Sequence, residues 1–199
     1  KMNIDTLVRN NVKMMSTYSS ARDDYNGGAN KNLIYLDANE SPFKNEINRY
    51  PDNKHTEIKK LVSDIKNVNI NQVVFGNGTD EILDLIVRVF CNPNKDKIIT
   101  LPPTYGMYDI IAKTNEVENI EIPLKSDFSI DTEKILSLKT SNIKILFLCS
   151  PNNPTGNSFD TNELTDLIKG FNGIVVVDEA YIDFSSKQSL ISLINDNNN

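Results

Sequence analysis

Hydrophobic and polar positions along this chain alternate between short apolar runs and amphipathic stretches. Nearly unbroken apolar runs, such as residues 143–149 and 174–177, are typical of strands that are buried on both faces. Between them, apolar residues recur every three or four positions, which predicts helices. The pattern predicts strands at 33–36, 73–75, 97–101, 118–124, 143–149 and 174–177, and helices at 1–13, 55–65, 80–90, 105–113, 131–138, 161–169 and 189–194.

Strands that alternate with helices in this order favour an α/β protein with three layers, α/β/α, around a mainly parallel sheet. Residues 1–32 are expected to form an N-terminal helix and a polar arm. Residues 33–199 are expected to form one larger domain, because no linker divides them.

The composition is that of an ordinary globular protein, with 199 residues, 39% hydrophobic residues and a net charge of −6. No apolar run approaches the roughly 18 residues of a membrane span, and the acidic balance argues against a nucleic-acid partner. Cys91 and Cys149 both lie in apolar stretches, so we expect buried free thiols and a reducing compartment, the cytoplasm. We expect no metal site.

Four stretches of unusual residues lie where predicted strands end, which is where ligands bind in parallel sheets. The first is GNGTDE, residues 76–81. Its glycines let the backbone turn sharply, and the N–H groups of the following helix attract anions, so the stretch is typical of a phosphate cradle. The alternative is a tight turn in which Thr79 or Asp80 only caps the helix.

Two further stretches contain constraining prolines. In PPTY, residues 102–105, they would hold Tyr105 rigidly where a planar ligand could stack on its ring. The alternative is a tyrosine of the core or of a helix start. In SPNNPTG, residues 150–156, two prolines bracket two asparagines and predict a stiff turn that presents an amide at the sheet edge. A plain turn rarely needs so much constraint.

The fourth stretch is DEAY, residues 178–181, directly after an apolar strand. A carboxylate at this place is costly to bury unless it meets a cation, although a helix cap or a solvated acid is the alternative. The four stretches together predict a phosphate cradle, a stacking ring, an amide and an acid. Pyridoxal phosphate, a pyridinium with a phosphate tail, would use all four.

The same stretches carry a family resemblance. LDANE at 36–40, NRYPD at 48–52, GNGTDE, PPTYGMY, CSPNNPTG and DEAYIDF occur in one order along nearly the whole chain. In this the chain resembles the fold-type I pyridoxal-phosphate aminotransferases, and most closely the histidinol-phosphate aminotransferase family. The resemblance implies the large domain of the fold-type I transferases and pyridoxal 5′-phosphate as the cofactor.

The resemblance also implies roles for individual residues around the cofactor ring. Asp178 would pair with the ring nitrogen, and Asn153 and Tyr181 would hydrogen-bond the phenolic oxygen of the ring. Tyr105 would stack on the ring. Of these residues, Asp178 and Tyr181 would take part in catalysis.

Further roles concern the phosphate group and the substrate. The backbone amides of Thr79 and Asp80 would hold the cofactor phosphate. Tyr50 would reach the cofactor phosphate of a second subunit, which implies a homodimer with shared sites. Tyr18 and Asn39 would contact the substrate, although Thr17 stands before Tyr18 where family members often have a proline.

The implied reaction is transamination in histidine biosynthesis, between histidinol phosphate and glutamate on one side and imidazole acetol phosphate and 2-oxoglutarate on the other. Three alternatives stay open. The protein could be another family I aminotransferase or a threonine-phosphate decarboxylase. The chain could also be a non-catalytic remnant that binds the cofactor or forms dimers.

The family's essential lysine, which forms a Schiff base with the cofactor, is expected about 30 residues beyond Asp178. That position lies past Asn199, and Lys187 comes too early and in another context, SSKQ. The resemblance therefore implies a chain that is truncated before the last sheet strands and the small C-terminal domain. We expect such a chain to be inactive alone.

Overall fold

The computed structural model describes residues 3–19, 34, 36–138, 142–197 and 199. The chain divides into two compact units, Lys1–Lys13 with Phe75–Asn199 and Met14–Val74. The predicted boundary between residues 32 and 33 lies outside the described residues and stays a prediction. Residues 33 and 35 are also outside, so the strand predicted at 33–36 is not tested.

The larger unit contains a four-stranded sheet. The strands are β1 Lys97–Thr100, β2 Glu118–Glu121, β3 Ile143–Cys149 and β4 Ile174–Asp178. They pair in parallel in the order β2-β1-β3-β4, which confirms the expected parallel sheet. Among the described residues, β2 and β4 therefore form the two edges.

Two α-helices of this unit begin after an aspartate that satisfies their first N–H groups. Asp131 accepts a hydrogen bond of 3.1 Å from the N–H of Lys134 and so caps its helix. Asp160 caps the last α-helix through the N–H groups of Asn162 and Glu163. The α-helices of the unit are α1 Asn10–Lys13, α3 Gly78–Phe90, α4 Met107–Thr114, α5 Thr132–Ser137 and α6 Thr161–Gly170, and 3₁₀ helices lie at Ile4–Thr6, Ile182–Phe184 and Leu190–Asn195.

Alternate residues of the central strands point to opposite faces of the sheet, and both faces are covered. Leu146 and Leu148 of β3 belong to one core cluster, which also contains residues of α5 and α6. Ile145 and Phe147 belong to a second cluster with residues of α3 and α4. The α/β fold with three layers is therefore confirmed. Cys91 and Cys149 are free and buried in the second cluster, as expected.

Two predicted elements of the chain were wrong. The helix predicted at 1–13 is a 3₁₀ turn, Ile4–Thr6, and a short α1, because Asn3 caps the first turn and Leu7 is the residue that packs against the core. Residues 73–75 form no strand and do not join the described sheet. A strand needs a neighbour with which to pair its backbone groups, and a three-residue apolar run does not specify one.

The smaller unit contains helix α2, Thr56–Lys66, and a 3₁₀ turn, Ile70–Gln72. The helix is close to its prediction, but its apolar stripe is not buried, since Ile58, Leu61 and Ile65 are 49%, 62% and 76% exposed. Apolar spacing predicts the helix correctly without specifying what covers its apolar side.

Neither a membrane span nor a metal cluster occurs in the part of the chain that the structure describes. Its helices are too short or too polar to cross a bilayer. No group of three or more His, Cys, Asp or Glu side chains among these residues could hold a metal ion.

Candidate functional site

The strand register brings three of the four motifs to one edge of the sheet. Cys149, at the end of β3, lies opposite Asp178, at the end of β4. The ladder continues one step further, because the N–H of Ser150 donates to the Asp178 carbonyl at 2.9 Å. Segments 102–105, 150–156 and 179–181 therefore leave parallel strands at their carboxyl ends, as predicted.

Asp178 is a buried carboxylate with neutral partners. It is 9% exposed, the hydroxyl of Tyr108 donates to its Oδ2 at 2.8 Å, and the N–H of Ala180 donates to its Oδ1 at 3.1 Å. In the described part of the chain it forms no ion pair. A carboxylate oxygen has two acceptor positions, so Asp178 keeps capacity for a further, cationic donor. This spare acceptor capacity of a buried carboxylate suits the protonated nitrogen of a pyridine ring.

Tyr105 connects the edge of the sheet to the start of α3. Its hydroxyl donates to Oδ1 of Asp80 at 3.1 Å. This hydrogen bond, with smaller effects of burial and of the negative charges of Asp80 and Asp178, raises the pKa of Tyr105. Tyr105 therefore stays a neutral phenol, tethered to the segment that was predicted to bind phosphate.

Both positions of the turn at the start of α3 favour glycine. A Cβ on Gly76 would lie 2.7 Å from Cδ1 of Ile82, and Gly78 has a φ of +75°. Asn77 makes no side-chain capping hydrogen bond, while its N–H donates to the carboxylate of Glu81. The N–H of Gly78 donates to the Gly76 carbonyl at 3.0 Å. The Asn77 side chain does not cap the amides that follow, those of Thr79 and Asp80. Uncapped amides at the start of a helix can bind an anion.

The two neighbouring asparagines of the SPNNPTG loop have different environments. Asn152 is 3% exposed, accepts a hydrogen bond of 2.8 Å from the hydroxyl of Thr104, and donates to the Pro103 carbonyl at 2.9 Å and to Thr155 Oγ1 at 2.6 Å. Asn152 therefore joins this loop to the PPTY loop. Asn153 is half-buried and lines a cleft.

That cleft has a volume of about 620 Å³. Asn153 and Tyr181, the two residues expected at the phenolic oxygen of the ring, both line it, whereas Asp178 and Tyr105 are outside its lining. Lys187 also lines the cleft, with its Nζ 3.9 Å from a carboxylate oxygen of Asp160. The side chains around the cleft can donate hydrogen bonds to a polar ligand.

Sequence reasoning missed Tyr108 and the structural role of Asn152. A signal for Tyr108 was present, since it stands three positions after Tyr105 at a position that a helix would bury. A fully buried tyrosine needs a partner for its hydroxyl, and a strand-end carboxylate is a suitable one. Asn152 and Asn153 could not be distinguished by type, because only the fold determines which amide points inward.

Three expected site residues, Tyr18, Asn39 and Tyr50, lie in the smaller unit. All three are exposed there. The carboxylate of Glu40 holds the NRYP segment, accepting from the N–H of Tyr50 at 2.8 Å and pairing with Arg49 at 2.7 Å. The roles of these three residues toward substrate or cofactor stay predictions.

The chain matches the family model "Aminotransferase class I and II" over residues 24–199. It is 52% identical, over 194 residues, to the histidinol-phosphate aminotransferase of Flavobacterium psychrophilum, a match that covers 98% of this chain and 56% of that protein. The chain spans about half the length of the curated relatives it matches.

Solved structures show the same fold. The histidinol-phosphate aminotransferase from Clostridium acetobutylicum is 26% identical with a TM-score of 0.65, over 75% of this chain and 44% of that one. The enzyme of the same name from Sinorhizobium meliloti, solved in complex with pyridoxal-5′-phosphate, is 19% identical with a TM-score of 0.63, over 69% and 38% of the two chains. Together with the family model, these matches confirm the resemblance drawn from the motifs: the chain belongs to the class I and II aminotransferase family.

Proposed function

We propose that the protein carrying this chain is a pyridoxal-phosphate-dependent histidinol-phosphate aminotransferase. It would exchange an amino group between histidinol phosphate and 2-oxoglutarate, giving imidazole acetol phosphate and glutamate, in either direction. The observation that carries the proposal is Asp178, a buried carboxylate at the carboxyl edge of the sheet whose two hydrogen-bond partners are neutral. The identity of 52% with a protein named for this activity supports the choice of substrate.

The residues of the larger unit have chemically suitable roles toward pyridoxal phosphate. When bound, this cofactor supplies an electron sink for the electron pair released at the substrate's α-carbon. Asp178 would accept the N–H of the ring nitrogen and keep it protonated. Asn153 and Tyr181 would donate to the phenolic oxygen from the cleft that both of them line.

Two further groups would orient the cofactor. The ring of Tyr105, tethered to Asp80, would pack on the face of the pyridine ring. The amides of Thr79 and Asp80, at the start of α3, would bind the phosphate through their N–H groups and the positive end of the helix dipole.

The proposed activity also requires a lysine that forms a Schiff base with the cofactor. We propose that the lysine implied by the family resemblance lies beyond Asn199, and that the 199 residues alone have no transaminase activity. The homodimer with shared sites and the cytoplasmic location are further parts of the proposal. They rest on the resemblance and on the two buried free thiols.

The test is a substrate panel with the protein expressed from its complete gene. We expect pyridoxal phosphate to bind and glutamate to transfer its amino group to imidazole acetol phosphate, with much slower transfer to aromatic 2-oxo acids. Release of CO₂ from O-phosphothreonine, without transamination, would replace the proposal with the decarboxylase. Cofactor binding without turnover of any substrate would favour the non-catalytic alternative.

A further inference from the structure

Tyr108 and Asp178 are 70 positions apart in the chain, and their side chains meet in the core of the larger unit. The tyrosine is 1% exposed and the aspartate 9%. The hydroxyl of Tyr108 donates to Oδ2 of Asp178 at 2.8 Å. The contact links α4 to the end of β4, directly at the carboxylate that the proposed function assigns to the cofactor.

The ring of Tyr108 is held on two sides. It stacks on Phe147 of β3, with ring centroids 4.8 Å apart and planes 7° from parallel. Tyr105 contacts it edge-on, with centroids 5.5 Å apart. A ring fixed in this way has little rotational freedom left, so the direction of its hydroxyl is fixed as well.

The hydroxyl also stays protonated. Burial, and after it the negative charge of Asp178, raises the pKa of Tyr108 far above its ordinary value. Tyr108 is therefore a permanent donor at every pH at which the protein would work. Tyr108 holds Oδ2 while the N–H of Ala180 holds Oδ1, and these two bonds fix the plane of the carboxylate.

We propose that Tyr108 is a positioning residue, which orients the carboxylate of Asp178 so that an oxygen faces the protonated ring nitrogen of the cofactor. The inference rests on the proposed function and adds a residue to it. Without the hydroxyl, Oδ2 would be buried without this donor and the carboxylate could rotate about its last bond. The loss would then be specific to ligands that carry a protonated ring nitrogen.

The experiment uses two ligands and the protein expressed from its complete gene. Pyridoxamine 5′-phosphate has no aldehyde, so its binding needs no bond to a lysine. Its 1-deaza analogue has a carbon in place of the ring nitrogen and serves as the matched control. Binding of both is measured by titration calorimetry for the wild type, Tyr108→Phe, Asp178→Asn and the double variant.

We expect Tyr108→Phe to weaken the binding of pyridoxamine phosphate about tenfold and to leave the affinity for the deaza analogue unchanged. The double variant should bind no more weakly than Asp178→Asn alone, since Tyr108 acts through Asp178. The ¹⁵N signal of the labelled ring nitrogen should also move toward its unprotonated position in Tyr108→Phe. A merely structural role would move neither the ligand selectivity nor this signal.

Several results would overturn the inference. If Tyr108→Phe weakens the binding of both ligands equally, Tyr108 is a packing residue. If it changes the binding of neither ligand, Tyr108 has no positioning role, although Asp178 can still bind the ring nitrogen. If Asp178→Asn itself does not distinguish the two ligands, the proposed function loses its central residue and the inference goes with it.

Should Tyr108→Phe not fold, the wild type gives the answer by NMR. The ¹³C signal of Tyr108 Cζ is expected to shift when pyridoxamine phosphate binds, and to shift much less with the deaza analogue. Equal shifts with both ligands would contradict the inference.

Discussion

The hydroxyl of Thr104 donates a hydrogen bond of 2.8 Å to the side-chain carbonyl of Asn152, and this bond joins the loops that follow β1 and β3. The amide of the same asparagine donates back to the carbonyl of Pro103. Two adjacent loops at the carboxyl edge of the sheet are thus fixed to each other by one buried side chain, next to the residue expected to contact the cofactor, Asn153.

Asn152→Ala should therefore destabilise the protein while Asn153→Ala should not. The first change removes three hydrogen bonds of a buried side chain, to Pro103, Thr104 and Thr155. At about 1 kcal/mol for each bond, we expect the free energy of unfolding to fall by about 3 kcal/mol. Asn153 is half-buried in a cleft, so its loss should cost less than about 1 kcal/mol but weaken cofactor binding. Urea unfolding and cofactor titration measure the two effects. Equal stability losses would show that the two asparagines share one role.

Asp178→Asn should impair catalysis far more than folding. The amide is neutral and cannot hold the ring nitrogen protonated, so turnover should fall by several orders of magnitude, which corresponds to about 4 kcal/mol or more in the barrier. The amide oxygen can still accept from Tyr108, so the free energy of unfolding should change by about 1 kcal/mol. Steady-state kinetics and urea unfolding measure the two quantities. Near-normal turnover would remove Asp178 from the proposed chemistry.

The sequence predicted those elements whose patterns are local and strong. The run at 143–149 is a strand with the predicted bounds, and the acid that follows the run at 174–177 lies at the predicted sheet edge, because a continuous apolar run buried on two faces has few alternatives. The glycines of GNGTDE likewise mark a real turn before α3. In such places, residue type alone specifies backbone conformation and burial.

Other features depend on groups that are distant in the chain. Residues 73–75 look like a strand, but pairing and not propensity decides whether a strand forms. The stripe of α2 predicts a helix, but a helix can exist with that stripe exposed, as Ile65 illustrates. The partner of Tyr108 lies 70 positions away, and no local pattern indicates which carboxylate receives its hydrogen bond.

Stability should decrease at alkaline pH, in part because of Cys91. Burial, together with the charge of Asp96, raises the pKa of the Cys91 thiol from 9.0 to about 12. Above pH 9 the unfolded thiol loses its proton while the folded one keeps it, so the free energy of unfolding falls as the pH rises from about 9 toward 12. One such group contributes up to about 1.4 kcal/mol per pH unit.

Urea unfolding between pH 8 and pH 10 tests this, with Cys91→Ala as the matched variant. Tyr108 also has a raised pKa and contributes to the same alkaline loss, so the informative quantity is the difference in slope between the two proteins. Cys91→Ala is expected to be less stable than the wild type at pH 8, but its free energy of unfolding should fall less with each pH unit. Parallel slopes would contradict the assignment to Cys91.

Tyr50 gives a test of whether active sites are shared between subunits. It is 66% exposed in the smaller unit, and its backbone N–H donates to the carboxylate of Glu40. The family resemblance directs its hydroxyl to the cofactor phosphate of a second subunit. A hydrogen bond to a charged group contributes about 1.5–3 kcal/mol, so Tyr50→Phe should weaken cofactor binding in the proposed dimer by at least about tenfold.

Mixing two variants tests the shared site more strictly. In a hybrid dimer of Tyr50→Phe with Asp178→Asn, a shared site puts both defects in one site and leaves the other site intact. The assay uses a cofactor concentration near the wild-type dissociation constant, at which Tyr50→Phe sites are mostly empty. Activity of the mixture should then rise above that of either homodimer, toward about a quarter of the wild-type value when the subunits exchange at random. Subunits with different affinity tags allow the hybrid to be purified and its activity measured. If tagged hybrids form and are no more active than the parent homodimers, Tyr50 serves its own subunit and the shared-site proposal is wrong.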